Sequence, residues 1–201
     1  MSTPSLDRVV AAVPEEVPVA IEMLADAFAD DAITNWIYPD VALRRPSFTG
    51  YCAHMLSQPS AAMQIIDDCG AAIWLTVDAA DESSGPEETT GPEVSASGRR
   101  LMALGDTLAA WHPRERRYRY LFAMGVRPGR QGGGHGSALL ARGIADADAV
   151  GLGVYLEASS ANSRMLYRRH GFEDLAGSLT VEDSPPIWPM WRPPQSAPID
   201  D

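Results

Sequence analysis

No lysine occurs anywhere in the 201-residue sequence; all 16 basic residues are arginine. That excludes a Schiff-base lysine, a phosphate-loop lysine and any self-modification on a lysine side chain. Cysteine is scarce as well. Cys52 and Cys69 fall in different predicted elements, with no CxxC and no histidine set at ligand spacing, so they read as two reduced thiols with neither a disulfide framework nor a metal. The N-terminal "MSTPSLDRVV" has no basic region followed by an apolar one, and no apolar run reaches membrane-spanning length. The expectation is a cytoplasmic, soluble protein with no membrane partner. Positive charge is outnumbered, 16 basic residues against 27 acidic ones for a net charge of −11, which argues against a nucleic-acid partner. The one basic cluster, Arg114, Arg116, Arg117 and Arg119 in "HPRERRYRY", reads as a solvated connection into a strand. An acidic surface suits a cationic small molecule.

What is present organises as one domain, expected over residues 1–194 with a tail at 195–201. "DRVVAA" reads as a short strand and "EEVPVAIEMLADAFAD" as a helix starting near Glu16, because Pro18 is tolerable only in a first turn. "AITNWIYPD" reads as an aromatic-bearing loop, followed by a weakly patterned helix around 46–57. "MQIIDDCGAAIWLTVD" is a hairpin turning at Asp67-Asp68-Cys69-Gly70. Residues 79–98, acidic and rich in Gly, Pro and Ser, form an expected mobile insertion before a helix near 99–111. Then come the strand "RYRYLFAMGV", a glycine-rich stretch, the helix "SALLARGIADADAV", the strand "VYLEAS" and the short helix "ANSRMLYRRHGF", which ends in a glycine. A last strand is expected around 187–191.

The glycine-rich stretch carries most of the information. "GVRPGRQGGGHGSALLARG", residues 125–143, holds six glycines in its first twelve positions, and each one costs conformational entropy to order. A helix N-terminus presents free N–H groups and partial positive charge, so glycines there let the backbone approach a phosphate without any lysine. A Walker-type loop needs a lysine after its last glycine, and His135 follows Gly134. A dinucleotide fold finds Gly132-x-Gly134 and, some twenty residues on, Glu157 at the end of a strand. It finds Ser137 at its third glycine position, however, and "RPGRQ" where the turn should be immediate.

The segment "VRPGRQGGGHGSALL" resembles the acetyl-CoA signature of the GNAT acetyltransferase superfamily through Val126, Pro128, Gln131, Gly134 and Gly136. "LEASSANSRMLYRRHGF" is similar to the second half of that cofactor site, with Asn162, Leu166, Tyr167, Gly171 and Phe172 in register. Within the superfamily the chain looks most like the puromycin N-acetyltransferase group over nearly its whole length, through "ADAFADDAITNWIYPD", "YLEASSANSRMLYRRHGFE" and "IWPMWRP". The puromycin-specific members carry a tyrosine after their "AAFAD", where this chain has Asp31.

The resemblance implies an α/β (α+β) fold, a mixed, mainly antiparallel sheet flanked by helices, with central strands that splay to admit the pantetheine arm of acetyl-CoA. Backbone groups of Met124, Gly125 and Val126 would pair with that arm. Gln131, Gly132, Gly133, Gly134, His135, Gly136 and Ser137 would cradle the pyrophosphate, His135 as a cap or space-filler. Asn162 would contact the cofactor from the next helix, and no metal is implied. Tyr167 matches the tyrosine that protonates the departing thiolate, and a main-chain N–H near Val126 would meet the oxyanion. The carboxylate that many members carry on the strand before the glycine loop is missing from "YRYLFAMGV". Strand alternation puts Glu157 and Tyr155 on one face, so Glu157 is a substitute base or a structural strand-end carboxylate. Alternatively Asp30 or Asp31 receives the amine, or the amine arrives neutral. Trp36 and Tyr38 would line the acceptor pocket or belong to the core. The implied activity is N-acetylation of a small-molecule amine by a monomer or homodimer. A protein N-terminal acetyltransferase and a silent acyl-CoA-binding module are the alternatives.

Overall fold

The computed structural model describes residues 6–79 and 95–195. Most of the expected acidic insertion and all but the first residue of the expected tail therefore lie outside the described residues. After a 3-10 turn at Leu6–Arg8 the chain forms β1 (Val9–Ala11), α1 (Val17–Ala27), α2 (Ala32–Ile37), α3 (Val41–Leu56), β2 (Ala61–Ile66) and β3 (Gly70–Val77). It continues through α4 (Ala96–Ala109), β4 (Tyr118–Val126), α5 (His135–Asp148), β5 (Gly153–Ala158), α6 (Ala161–Arg169), β6 (Glu173–Asp174) and β7 (Trp188–Arg192).

Local chemistry explains most boundaries. Pro18 sits in the first turn of α1, where its missing N–H costs no helical bond. The expected loop "AITNWIYPD" instead contains α2, because the Asp31 carboxylate accepts from Thr34 N at 2.8 Å and starts a turn despite the β-branched and aromatic residues. Likewise α3 begins five positions before the expected 46, since Asp40 accepts from Ala42 N at 2.9 Å. Ser95 caps α4 through Gly98 N at 3.1 Å, so residues 95–98 open a helix rather than close an insertion. At the end of α6, Gly171 takes φ 85°; its N–H donates to Arg168 O and that of Phe172 to Tyr167 O, at 3.1 and 3.2 Å. This is the paired-bond termination that a glycine after a helix permits.

The seven strands form one sheet in the order β1-β2-β3-β4-β5-β7-β6. Every neighbouring pair is antiparallel except β4 with β5. One face packs on α5 and α6 through Trp74, Leu139, Leu140, Leu156, Tyr167 and Phe172. The other packs on α1 and α3 through Leu24, Cys52, Ile65, Ile73 and Ala123. Two glycines set how closely helices approach: a Cβ on Gly143 of α5 would stand 2.0 Å from the Trp74 ring, and one on Gly125 of β4 would stand 2.5 Å from Ala27 Cβ of α1.

The feature that creates a site is the parallel pair. β4 and β5 are in register only over Tyr118–Leu121 and Gly153–Leu156. β4 then runs on to Val126 and β5 to Ala158 without pairing to each other. The break follows a bulge: Trp74 faces Leu121 and Ile73 faces Ala123, leaving Phe122 as the extra residue. The two central strands thus splay apart, as the sequence resemblance implied.

Candidate active site

The glycine stretch lies at the open end of this wedge. Gly129, Gly132 and Gly134 have φ of 79°, 78° and 84°, a left-handed backbone that side-chain-bearing residues avoid. Gly134 is the N-cap of α5, which starts at His135, two residues ahead of the expected Ser137. The first helical bond runs from Ala138 N to Gly134 O at 3.0 Å, so the N–H groups of His135, Gly136 and Ser137 have no intrahelical acceptor. Inside the loop, His135 Nδ1 is buried and without a partner. Ser137 Oγ lies 2.6 Å from His170 Nε2, tying the start of α5 to the end of α6.

The strand end is similarly prepared. Arg127 N donates to Cys69 O on the β3 side at 2.8 Å, and alternation then turns the backbone groups of Met124 and Val126 toward the wedge. Consistent with this, the Val126 carbonyl accepts from Gln131 Nε2 at 3.2 Å rather than from β3. Gly125, expected to pair with the arm, has its backbone turned to Ala71 of β3 by the same alternation, and the place of its missing Cβ is filled by Ala27 of α1. Asn162 is exposed in the first turn of α6, within the Ser160–Ser163 capping box. A free helix start, a free strand edge and an orphaned buried ring nitrogen fit a pyrophosphate followed by an amide-bearing arm.

Tyr167 is buried among the α5 and α6 residues, its ring 5.9 Å from that of Phe172. Burial, helped by the negative charges of Glu157 and Asp31, raises its pKa well above 10, so the phenol holds its proton at neutral pH. Glu157 follows the last β5 residue in register with β4, and its side chain is only 7% exposed. Its Oε2 accepts from Tyr120 Oη at 2.8 Å. Oε1 lies 3.2 Å from His112 Nε2, an ion-pair distance, and has no aligned hydrogen bond. The face alternation expected for β5 holds: Val154, Leu156 and Ala158 enter the α5-side core, while the Tyr155 ring lies tilted against His112, centroids 4.4 Å apart.

On the acceptor side, Asp31 is engaged twice, by Thr34 N and by Ser159 Oγ, both at 2.8 Å. It anchors the start of α2 to the residue just past β5. Asp30 is exposed. Trp36 is a core residue: its indole N–H donates to Asp183 Oδ1 at 2.8 Å, and it packs with Ile33, Leu104, Val181 and Ile187. Tyr38 borders an open recess of about 400 Å³ shared with Leu43, Ser47, Ala96 and Leu101. Tyr51 of α3, its pKa raised by burial and by the proximity of Tyr38 and Glu157, lies edge-on to Phe122 at 5.2 Å.

Sequence reasoning missed His112, Tyr120 and Tyr51. His112 sits at the head of the arginine-rich stretch read as a solvated connection, and Arg119 of that stretch is also partly buried, donating to Thr76 Oγ1 at 2.9 Å. The available signal was that His112 is one of four histidines, placed six positions before Tyr118 at the start of a strand with alternating tyrosines. Among the described residues no group of three or more His, Cys, Asp and Glu is arranged to hold a metal, and no helix is long and apolar enough to cross a membrane.

Residues 98–174 match the family model described as an acetyltransferase (GNAT) domain. Among solved structures, the histone acetyltransferase HPA2 and related acetyltransferase from Corynebacterium glutamicum is 26% identical, covering 98% of this chain and 100% of its own, with a TM-score of 0.65. Arylalkylamine N-acetyltransferase 2 from Aedes aegypti shares the fold at a TM-score of 0.73 and 14% identity, over 93% of this chain and 98% of its own. The polyamine N-acetyltransferase of Drosophila melanogaster, which forms N-acetylagmatine, does so at 0.67 and 14%, over 91% and 97%. Residues 98–174 thus match a GNAT acetyltransferase domain, the sheet has the GNAT-type architecture of these structures, and the chain is an acyltransferase.

Proposed function

We propose that this acyltransferase moves an acetyl group from acetyl-CoA to the amine of a small molecule with an aromatic or apolar body. The observation that carries the reading is the wedge between β4 and β5, with a buried carboxylate at its apex and three left-handed glycines at its mouth. Acetyl-CoA would supply an acetyl thioester. The backbone of Met124 and Val126, the loop from Gln131 through Ser137, and Asn162 are the groups that would hold it, Gly125 being turned to β3 instead.

The chain's own residues then have separate tasks. An amine enters charged at neutral pH and must lose a proton before it attacks. Glu157 takes that proton: one N–H bond breaks and an O–H bond forms on the carboxylate. Tyr120 holds the other oxygen in place. As the C–N bond forms and the C–S bond breaks, Tyr167, protonated by virtue of its burial, gives its hydroxyl proton to the departing thiolate and is reprotonated by the second proton lost from the newly bonded nitrogen; a thiol pKa near ~8.5 makes this assistance useful rather than obligatory. The main-chain N–H near Val126 meets the carbonyl oxygen as charge develops there. Tyr120, Tyr51, Phe122 and Tyr38 would supply an aromatic lining, attractive to an ammonium on its way to the carboxylate. An antibiotic amine of the puromycin kind fits such a lining, as do arylalkylamines and agmatine, the acceptor types of the fold's relatives.

The test is product mass spectrometry after incubation with acetyl-CoA and puromycin, 2-phenylethylamine, agmatine or spermidine. The reading expects at least one amine to gain a single acetyl group, and Glu157→Gln to abolish the product without abolishing coenzyme binding. Coenzyme binding with no amine acetylated would replace it with a binding module.

A further inference from the structure

Glu157 has one oxygen oriented by Tyr120 and one facing a ring that the acetyl-transfer reading does not use. That ring, His112, is confined on two sides: its centroid lies 4.4 Å from that of Tyr155 and 5.0 Å, edge-on, from that of Tyr120. Its Nε2 faces Glu157 Oε1 at 3.2 Å, and its Nδ1 lies 2.6 Å from Tyr118 Oη. Tyr118 is 1% exposed. Burial and the Glu157 charge raise its pKa well above 10, so its hydroxyl remains a donor. A bond donated by Tyr118 into Nδ1 would fix the imidazole tautomer with the proton on Nε2, the nitrogen turned toward the carboxylate.

We propose that His112 is the positioning residue of this site: a chain from Tyr118 through His112 to Glu157 holds the carboxylate aimed at the wedge. A buried carboxylate has four lone-pair positions. Tyr120 takes one, and His112 and the Tyr155 hydroxyl stand against two more, so one remains for the incoming amine. The 3.2 Å contact is not aligned as a hydrogen bond in the free protein, a looseness common in catalytic pairs that tighten once substrate is bound. The layout is that of a base fixed by a third group, here with a carboxylate as the base and an imidazole as its support. This assignment rests on Glu157 being the base that receives the amine proton.

The experiment combines imidazole nitrogen NMR with kinetics on whichever amine of the panel above is acetylated. In the wild-type protein the His112 ring is expected as the Nε2–H tautomer, and Tyr118→Phe should release it into a mixture. His112→Leu should lower kcat about tenfold to a hundredfold while KM for acetyl-CoA stays within about twofold. His112→Gln, whose amide N–H can reach the carboxylate, should recover most of that loss. An Nδ1–H tautomer in the wild type overturns the proposal, as does equal activity of the Leu and Gln variants. If the Leu variant does not fold, the wild-type tautomer and its response to Tyr118→Phe decide alone. A wild-type protein inert on every amine overturns the acetyltransferase reading itself. An active one that keeps its rate in Glu157→Gln overturns Glu157 as base and His112 with it. Loss in Glu157→Gln with none in His112→Leu overturns His112 alone.

Discussion

Tyr120 donates a 2.8 Å hydrogen bond to Glu157 across the point where β4 and β5 part. The bond spans 37 positions of sequence and places a carboxylate at the apex of the gap. If Glu157 is the base, Glu157→Gln should lower kcat about 10²–10⁴-fold. Tyr120→Phe, which removes only the oriented donor, should cost about tenfold. Steady-state kinetics with acetyl-CoA held saturating separates the two.

Tyr167 is buried and holds its proton, the condition for an acid and also for an ordinary core phenol. Tyr167→Phe distinguishes these. An acid predicts kcat reduced about tenfold to a hundredfold with the coenzyme Kd unchanged; a core role predicts a lower melting temperature and little change in kcat.

Gly132 has φ 78° with open space where a Cβ would go, whereas Gly50 in α3 has open space and no positive φ. Gly132→Ala therefore bears only backbone strain, about 1–2 kcal/mol. The expected result is a coenzyme Kd raised about tenfold by calorimetry. Gly50→Ala should leave that Kd unchanged and stabilise the fold by about 0.5–1 kcal/mol.

Asp174 is held by both Arg164, at 2.7 and 2.8 Å, and Arg168. Hydrogen bonding to Arg164, reinforced by Arg168, depresses its carboxyl to about 2 from the ordinary 3.8. A depressed carboxyl contributes stability above its unfolded pKa and loses that contribution as pH falls through the folded value. Asp174→Asn should therefore cost about 1–2 kcal/mol at pH 6, and the gap to wild type should close as denaturation is repeated toward pH 2.

Much of this fold is legible in the sequence because its signals are local. The hairpin around Asp67-Asp68-Cys69-Gly70, the glycine stretch before α5, and the alternation that sets Glu157 apart from Leu156 all depend on neighbours a few positions away. The illegible parts depend on partners far along the chain. α2 hides in β-branched and aromatic residues until Asp31 is seen capping Thr34 and gripping Ser159, 128 positions on. Trp36 looks like a pocket aromatic until Asp183 binds its indole from 147 positions away. His112, surrounded by exposed arginines, acquires meaning only when the sheet brings Glu157 alongside.

The central claim is that the wedge between β4 and β5 receives the pantetheine arm, with the pyrophosphate on the glycine loop. Hydrogen–deuterium exchange with and without acetyl-CoA tests it most directly. The account expects protection concentrated in peptides covering 124–126 and 131–137, absent when a nicotinamide dinucleotide is added instead. Protection elsewhere, or equal protection by the dinucleotide, would contradict it.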